Sequence, residues 1–220
     1  MQQVSAGTSA EREATGSAPS DGDEVVSTRE SLLRAATIAF STTGYAGASV
    51  RHIERMATTN RGLVAYHFGS KDALWRAVVV RQMEYFREEF ERFSHLLHVV
   101  PQAERAAVLL RVYARFVAKH PELFRMLVLE GGSDTDRLAW LVDEHLSTTR
   151  EFFNVLAGLK GSPRAEAVAY YLMTGASSYV FSVAPQCMRM FGLDPTDVDF
   201  VDHYVGVVAD IDYSGILRTD

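Results

Sequence analysis

The run Thr58-Thr59-Asn60-Arg61-Gly62-Leu63-Val64-Ala65-Tyr66-His67-Phe68-Gly69-Ser70-Lys71-Asp72-Ala73-Leu74 decides how the rest of the chain is read. Thr58, Thr59 and Asn60 interrupt helical periodicity, and Asn60 can cap a helix of barely two turns over 61–68. Ser70, followed by Lys71 and Asp72, then opens a far longer helix to about His98. Leu74, Ala77, Val78, Met83, Phe86, Phe90, Phe93 and Leu97 form its apolar side.

Upstream, Ser27-Thr28-Arg29-Glu30 is a capping-box pattern, in which hydroxyl and carboxylate satisfy the free amides of a first turn. Leu32, Leu33, Ala36, Ala39 and Phe40 recur at helical spacing until Gly44 stops them. Ser49 can cap a second helix through Met56, with Val50, Ile53 and Ala57 facing the first. Two short helices joined by a tight turn and tied to a third make the helix-turn-helix plan, whose second helix enters the major groove of DNA.

Charge supports that plan. The 220 residues carry a net charge of -6, which argues superficially against nucleic acid. Yet 27–71 holds Arg29, Arg34, Arg51, Arg55, Arg61 and Lys71 against Glu30 and Glu54, six basic against two acidic, or +4. Phosphate binding depends on the charges at the contact and much less on the global sum. Arg61 at the start of the recognition helix, Tyr66 and His67 at its end, and Lys71 beyond can supply base-edge and phosphate donors. Ser49 and Arg51 fall at a helix N-terminus, where amides and dipole favour a phosphate oxygen. Phe68 is expected in the core. His67 is read as either a phosphate contact or a structural hydrogen bond.

From Thr28 to Leu74 the sequence closely resembles the tetracycline-repressor (TetR) family of bacterial transcriptional regulators. The residues that carry the resemblance are Phe40, Gly44 and Tyr45, the run Ala48-Ser49-Val50-Arg51 with Ile53, Arg61-Gly62, and Tyr66 through Leu74. It implies an all-α homodimeric repressor: an N-terminal three-helix helix-turn-helix domain, then a larger effector-binding and dimerising domain released from double-stranded operator DNA by a small molecule. The DNA contacts so implied are Ser49, Arg51, Thr59, Asn60, Arg61, Gly62, Leu63, Ala65, Tyr66, His67 and Lys71. Two departures bear on the operator. Thr58-Thr59 stands where the family usually has Gly-Val, and Leu63 and Ala65 stand where many members have Thr and Tyr. Apolar Leu63 and Ala65 can meet a thymine methyl but cannot make a bidentate base contact.

The boundaries expected are a disordered tail over 1–26, which is rich in Ser, Ala, Gly and acidic residues, a DNA-binding domain over 27–72, and a ligand-binding and dimerisation domain over 73–220. Breaks at Pro101, at His120-Pro121-Glu122, at Gly131 to Asp134, at Gly158 to Pro163 and at Asp194-Pro195 divide the larger domain into helices, the last starting at Pro195. No hairpin pattern appears. On a helix over 134–157, His145 shares a stripe with Leu138, Leu141, Val142, Thr149, Phe152 and Leu156. An ionisable ring on such a stripe needs a partner, either a protein carbonyl or a ligand. With Leu109, Tyr113, Phe116, Met126, Trp140 and Met173 it suggests a greasy cavity for a lipophilic or aromatic effector. Val168, Tyr171, Leu172, Gly175, Ser178 and Tyr179 line one late helix, and Phe200, Val201, Tyr204, Val205 and Val208 the last. The pair can complete the monomer core or form a four-helix bundle with a second copy, and the resemblance favours the second.

At 47% apolar and 23% charged, the composition excludes collagen-like, wholly disordered and disulfide-scaffold classes. One cysteine, Cys187, and no leader pattern suggest a cytoplasmic protein, and no apolar run suggests a membrane span. His95 and His98 have a workable two-ligand spacing but lack a third, so neither metal nor cofactor is expected. No phosphate loop or nucleophile signature supports catalysis. The rival reading is a helical small-molecule-binding or enzymatic protein that retains an inactive helix-turn-helix.

Overall fold

Every regular element in the computed structural model, which describes residues 21–97, 99–157 and 162–211, is a helix. The first four are α1 (Asp21–Gly47), α2 (Val50–Met56), α3 (Leu63–Phe68) and α4 (Lys71–Leu97). Leu32, Ala36, Ala39 and Phe40 of α1 close over Ile53 of α2, Val64 of α3, and Leu74 and Val78 of α4, all buried in one core. These are the apolar positions that helical spacing picks out.

Helix α1 starts at Asp21, six residues before the expected cap at Ser27, so 21–26 are helical where a tail was expected. Extending a nucleated helix costs little. Residues 1–20 of that tail lie outside the described residues. Gly44 sits at φ 69, ψ 176, which ends the regular helix where the sequence placed its stop. Leu129 of the larger domain lies 4.0 Å from where a Cβ at Gly44 would stand.

Helix α4 belongs to both domains: Leu74, Trp75, Val78 and Val79 pack at its start, and Met83, Phe86, Phe90 and Leu97 pack further along. Arg81 ties it back to α1 through a fork on Glu30, with both bonds 2.6 Å long, while also donating to the Tyr85 hydroxyl. Arg81 is the first cause holding the Glu30 carboxyl below its usual range. That contribution is therefore present at neutral pH and is lost as acid protonates Glu30.

The larger domain contains α5 (Gln102–Lys119), α6 (Pro121–Gly131), α7 (Asp136–Leu141), α8 (Ser147–Ala157), α9 (Pro163–Ser182), α10 (Ala184–Phe191) and α11 (Val198–Ala209). Helix α5 runs through the middle, touching α4, α6, α8, α9 and α11. Arg125 of α6 donates to the carbonyls of Ser182 and Phe181 at the end of α9. The Tyr204 hydroxyl joins α11 to α9 through the Ala176 carbonyl at 2.6 Å.

Pro185 occupies the first turn of α10, where a missing amide costs nothing. Two expectations are corrected here. The last helix begins at Val198, not Pro195: Asp194 instead accepts from the Thr196 amide and hydroxyl in a tight turn. The helix expected over 134–157 starts at Asp136 and widens into a π-turn over Val142–Leu146, which rotates the stripe, and Val142 is exposed beside buried Leu141. The side chains of Phe152 and Leu156, like residue His98 and 158–161, lie outside the described residues. No helix among the described residues is long and apolar enough to cross a membrane.

Candidate nucleic-acid interface and ligand cavity

Helix α3 is capped from behind. Its amides at Gly62 and Val64 both donate to Oε1 of Glu54 on α2, at 2.9 and 3.1 Å. Glu54 is only 4% exposed. Its main-chain carbonyl also accepts from the amide and hydroxyl of Thr59, at 3.0 and 3.1 Å. The expected cap, Asn60, makes no such bond; it lies exposed in the turn, and the helix starts two residues later, after Gly62 at φ 89. A carboxylate that reaches two amides at once satisfies more of the helix end than an asparagine beside it could.

Thr58 holds φ 55, the one non-glycine at positive φ among the described residues. A β-branched side chain is strained there. Thr58→Gly is expected to raise the denaturation midpoint, with a gain of about 1 kcal/mol once glycine's extra chain entropy is set against the relieved strain. An unchanged or lower midpoint would show that the turn carries no strain.

Outside this scaffold, Ser49, Arg51, His52, Arg55, Asn60, Arg61, Gly62, Ala65 and Tyr66 are exposed, while Thr59, Leu63, His67 and Lys71 are half-buried. Tyr66, at 74% exposed, is no core residue. Its ring meets His67 edge-on at 4.9 Å, and Phe68 packs against the core beneath the Arg29 guanidinium. Ser49 stands at the N-cap of α2 without a side-chain bond to it. His52 and Arg55 are bonded to each other at 2.7 Å and belong to the same polar face. Lys71 lies with Nζ 4.4 Å from the centre of the Tyr45 ring. Burial first, and then Arg137, pulls its pKa down.

That tyrosine is also the junction with the larger domain. Arg137 of α7 lies 3.8 Å from the Tyr45 ring centre and is held by buried Glu130, at 3.0 Å. Tyr45 meets Trp75 edge-on, Trp75 meets Trp140, and Trp140 meets His145 at 5.0 Å, with Arg76 over the Trp140 face. A chain of rings thus joins the basic face to the interior of the second domain.

At the far end lies a cavity of about 270 Å³, lined by Met83, Phe86, Arg87, Phe90, Glu91, Glu144, His145, Thr148 and Thr149. Met83, Phe86 and Thr149 also line an adjoining apolar lobe of about 30 Å³, with Tyr113, Phe116, Tyr170 and Thr174 among its walls. Burial pulls the His145 pKa below 6.5 against an opposing effect of Glu144, and the nearby Arg87 adds a smaller push in the same direction as burial. Burial also raises the pKa of the Tyr113 hydroxyl. Both groups are therefore uncharged at neutral pH.

The model of the N-terminal domain of bacterial regulatory proteins of the tetR family matches residues 32–78. The N-terminal domain belongs to the tetR family. The HTH-type transcriptional repressor AcnR of Corynebacterium efficiens is 39% identical over 57 residues, 26% of this chain and 30% of that protein. The HTH-type transcriptional repressor NicS of Pseudomonas putida is 30% identical over 103 residues, 47% of this chain and 48% of that protein. The matches thus span only 30% and 48% of these curated relatives. A TetR-like transcriptional regulator from Rhodococcus sp. RHA1 superimposes with TM-score 0.56 at 21% identity, over 87% of this chain and 97% of that one. The SCO4942 protein of Streptomyces coelicolor does so with TM-score 0.54 at 21% identity, over 82% and 96%. These two likenesses bear on the fold, which is all-α over the described residues.

Of the DNA contacts expected within the tetR-family domain, Ser49, Arg51, Asn60, Arg61, Gly62, Ala65 and Tyr66 are exposed on α2, α3 and the segments before each, and Thr59, Leu63, His67 and Lys71 are half-buried. Of the eight effector residues expected, His145, Thr149, Tyr113 and Phe116 line the cavity or its lobe. Leu109, Met126 and Met173 do not; they are buried core residues on helix faces that pack against neighbours. Trp140 lies one ring away, between His145 and Trp75. Sequence reasoning missed Glu54, whose only signal is an acid on the inner face of α2, and Arg87, which belongs to the solvated side of the α4 pattern.

Proposed function

We propose that the chain is a transcriptional repressor that binds a near-palindromic operator as a homodimer and is released when a small apolar or aromatic molecule enters the cavity beside His145. It would act in the cytoplasm and carry out no catalysis. The observation that carries the reading is the exposure of Arg51, Arg55, Arg61 and Tyr66 on two helices and the turn between them, braced by one buried carboxylate. Dimerisation is supported by exposed apolar side chains at Val168, Tyr171, Leu172 and Tyr179 on α9 and at Val198 and Val207 on α11.

The test is titration of DNA from upstream of the chain's own gene, and of random DNA, over a range of salt concentrations. Arg51→Ala is expected to weaken both and lower the salt slope by about one. Arg61→Ala is expected to cost roughly 1–3 kcal/mol on the operator and to change the preferred sequence. Equal loss on both DNAs for Arg61→Ala would reduce it to a phosphate contact. Wild-type binding that does not distinguish them would remove the repressor reading.

A further inference from the structure

Nε2 of His145 is buried and has no hydrogen-bond partner, although the residue lines a cavity. A buried polar atom left unpaired costs about as much as a lost hydrogen bond, so the fold gains when something supplies the missing partner. The surroundings limit what that can be. Thr149 is committed, since its hydroxyl donates to the His145 carbonyl at 2.8 Å. Phe86 and Phe90, with ring centres 4.4 Å apart, form an apolar wall beside Met83. The rim carries Arg87 against Glu91 and Glu144, one positive charge to two negative, so an anion finds no net attraction there. Burial disfavours the imidazolium more than Glu144 favours it, and Arg87 adds to the effect of burial, so the ring itself presents no charge at neutral pH. At about 270 Å³ the cavity falls just short of the range for drug-sized ligands.

We propose that this cavity takes a one- or two-ring aromatic compound whose uncharged hydroxyl or carbonyl hydrogen-bonds to His145 Nε2. The proposal rests on the effector reading above and names the class of molecule. It also states how occupancy is felt. Because Nε2 is covered, reaching it requires the imidazole to turn, and that ring lies edge-on against Trp140, which in turn lies against Trp75 under Arg76. These two tryptophans are the only ones in the sequence.

The experiment titrates the full chain at neutral pH with para-tert-butylphenol, tert-butylbenzene and para-tert-butylbenzoate. It follows tryptophan emission excited at a wavelength the probes do not absorb, and measures affinity by equilibrium dialysis. The phenol is expected to bind about tenfold more tightly than either of the others and to shift the emission. In His145→Phe its advantage over the hydrocarbon should fall below about threefold, whereas His145→Gln, which keeps a hydrogen-bonding group, should retain part of it. Tightest binding of the benzoate would assign the site to Arg87 and overturn the proposal. Equal binding of all three, no binding, or a phenol advantage that survives in His145→Phe would also overturn it. If that variant does not fold, the wild-type ranking and His145→Gln decide alone. Adding operator DNA separates the two readings: phenol that binds without releasing DNA leaves the ligand class standing and removes release. Intact operator binding with no phenol bound does the reverse.

Discussion

Glu54→Ala is expected to destabilise the N-terminal domain by about 2–4 kcal/mol and to abolish specific DNA binding. The carboxylate receives two amide hydrogen bonds, from Gly62 and Val64, at a site almost closed to water. A hydrogen bond to a charged group contributes roughly 1.5–3 kcal/mol, and a donor stranded by its loss keeps its desolvation cost. Gly62 is exposed and can turn to water, but Val64 is 1% exposed and cannot, which keeps the total below twice the single value. The start of the recognition helix would fray, and Arg61 and Tyr66 would lose their common geometry. Glu54→Gln retains an acceptor oxygen and should lose about half as much. Urea denaturation followed by circular dichroism measures both, and a wild-type midpoint for the alanine variant would show that water replaces the carboxylate.

Gly175→Leu should raise the dimer dissociation constant by at least about a hundredfold while leaving the protomer folded. Within one protomer a Cβ at this glycine meets nothing within 4 Å, so the added side chain has room. The position shares a stripe of α9 with Val168, Tyr171, Leu172 and Tyr179, all exposed. If two copies of that stripe meet, a leucine at their closest approach holds them apart and forfeits the contacts around it. Sedimentation at micromolar concentration reads the effect directly. Operator affinity should fall with it, because each half-site would then be bound separately. A wild type that sediments as a monomer with and without DNA would remove this interface.

Most of the helical architecture was legible because helices announce themselves locally. The apolar stripe of α1, the stop at Gly44 and the fourth helix from Ser70 onward all follow from spacing and capping within a few residues. His145 was legible for the same reason, as an ionisable ring where only apolar neighbours were expected. What escaped depends on partners distant in sequence or on a change of helical pitch. Glu54 caps from eight and ten residues away, so the neighbouring Asn60 looked like the better candidate. One wide turn at Val142–Leu146 shifted every side chain after it. Leu109, Met126 and Met173 are apolar and helical in either setting, and no pattern separates a residue that packs from one that lines a void.

The place of Tyr45 has a consequence for recombination. Its ring receives Lys71 from its own domain and Arg137 from the other, while Leu129 closes on Gly44 nearby. The N-terminal helical head is therefore not a detachable module. Grafting residues 27–72 onto a foreign body would strip Tyr45 of Arg137 and of Trp75, leaving an aromatic face open to water. A chimera that transplants the specificity of this head needs a junction cut behind α7, or a host whose own helices supply an arginine and an indole at the same two positions.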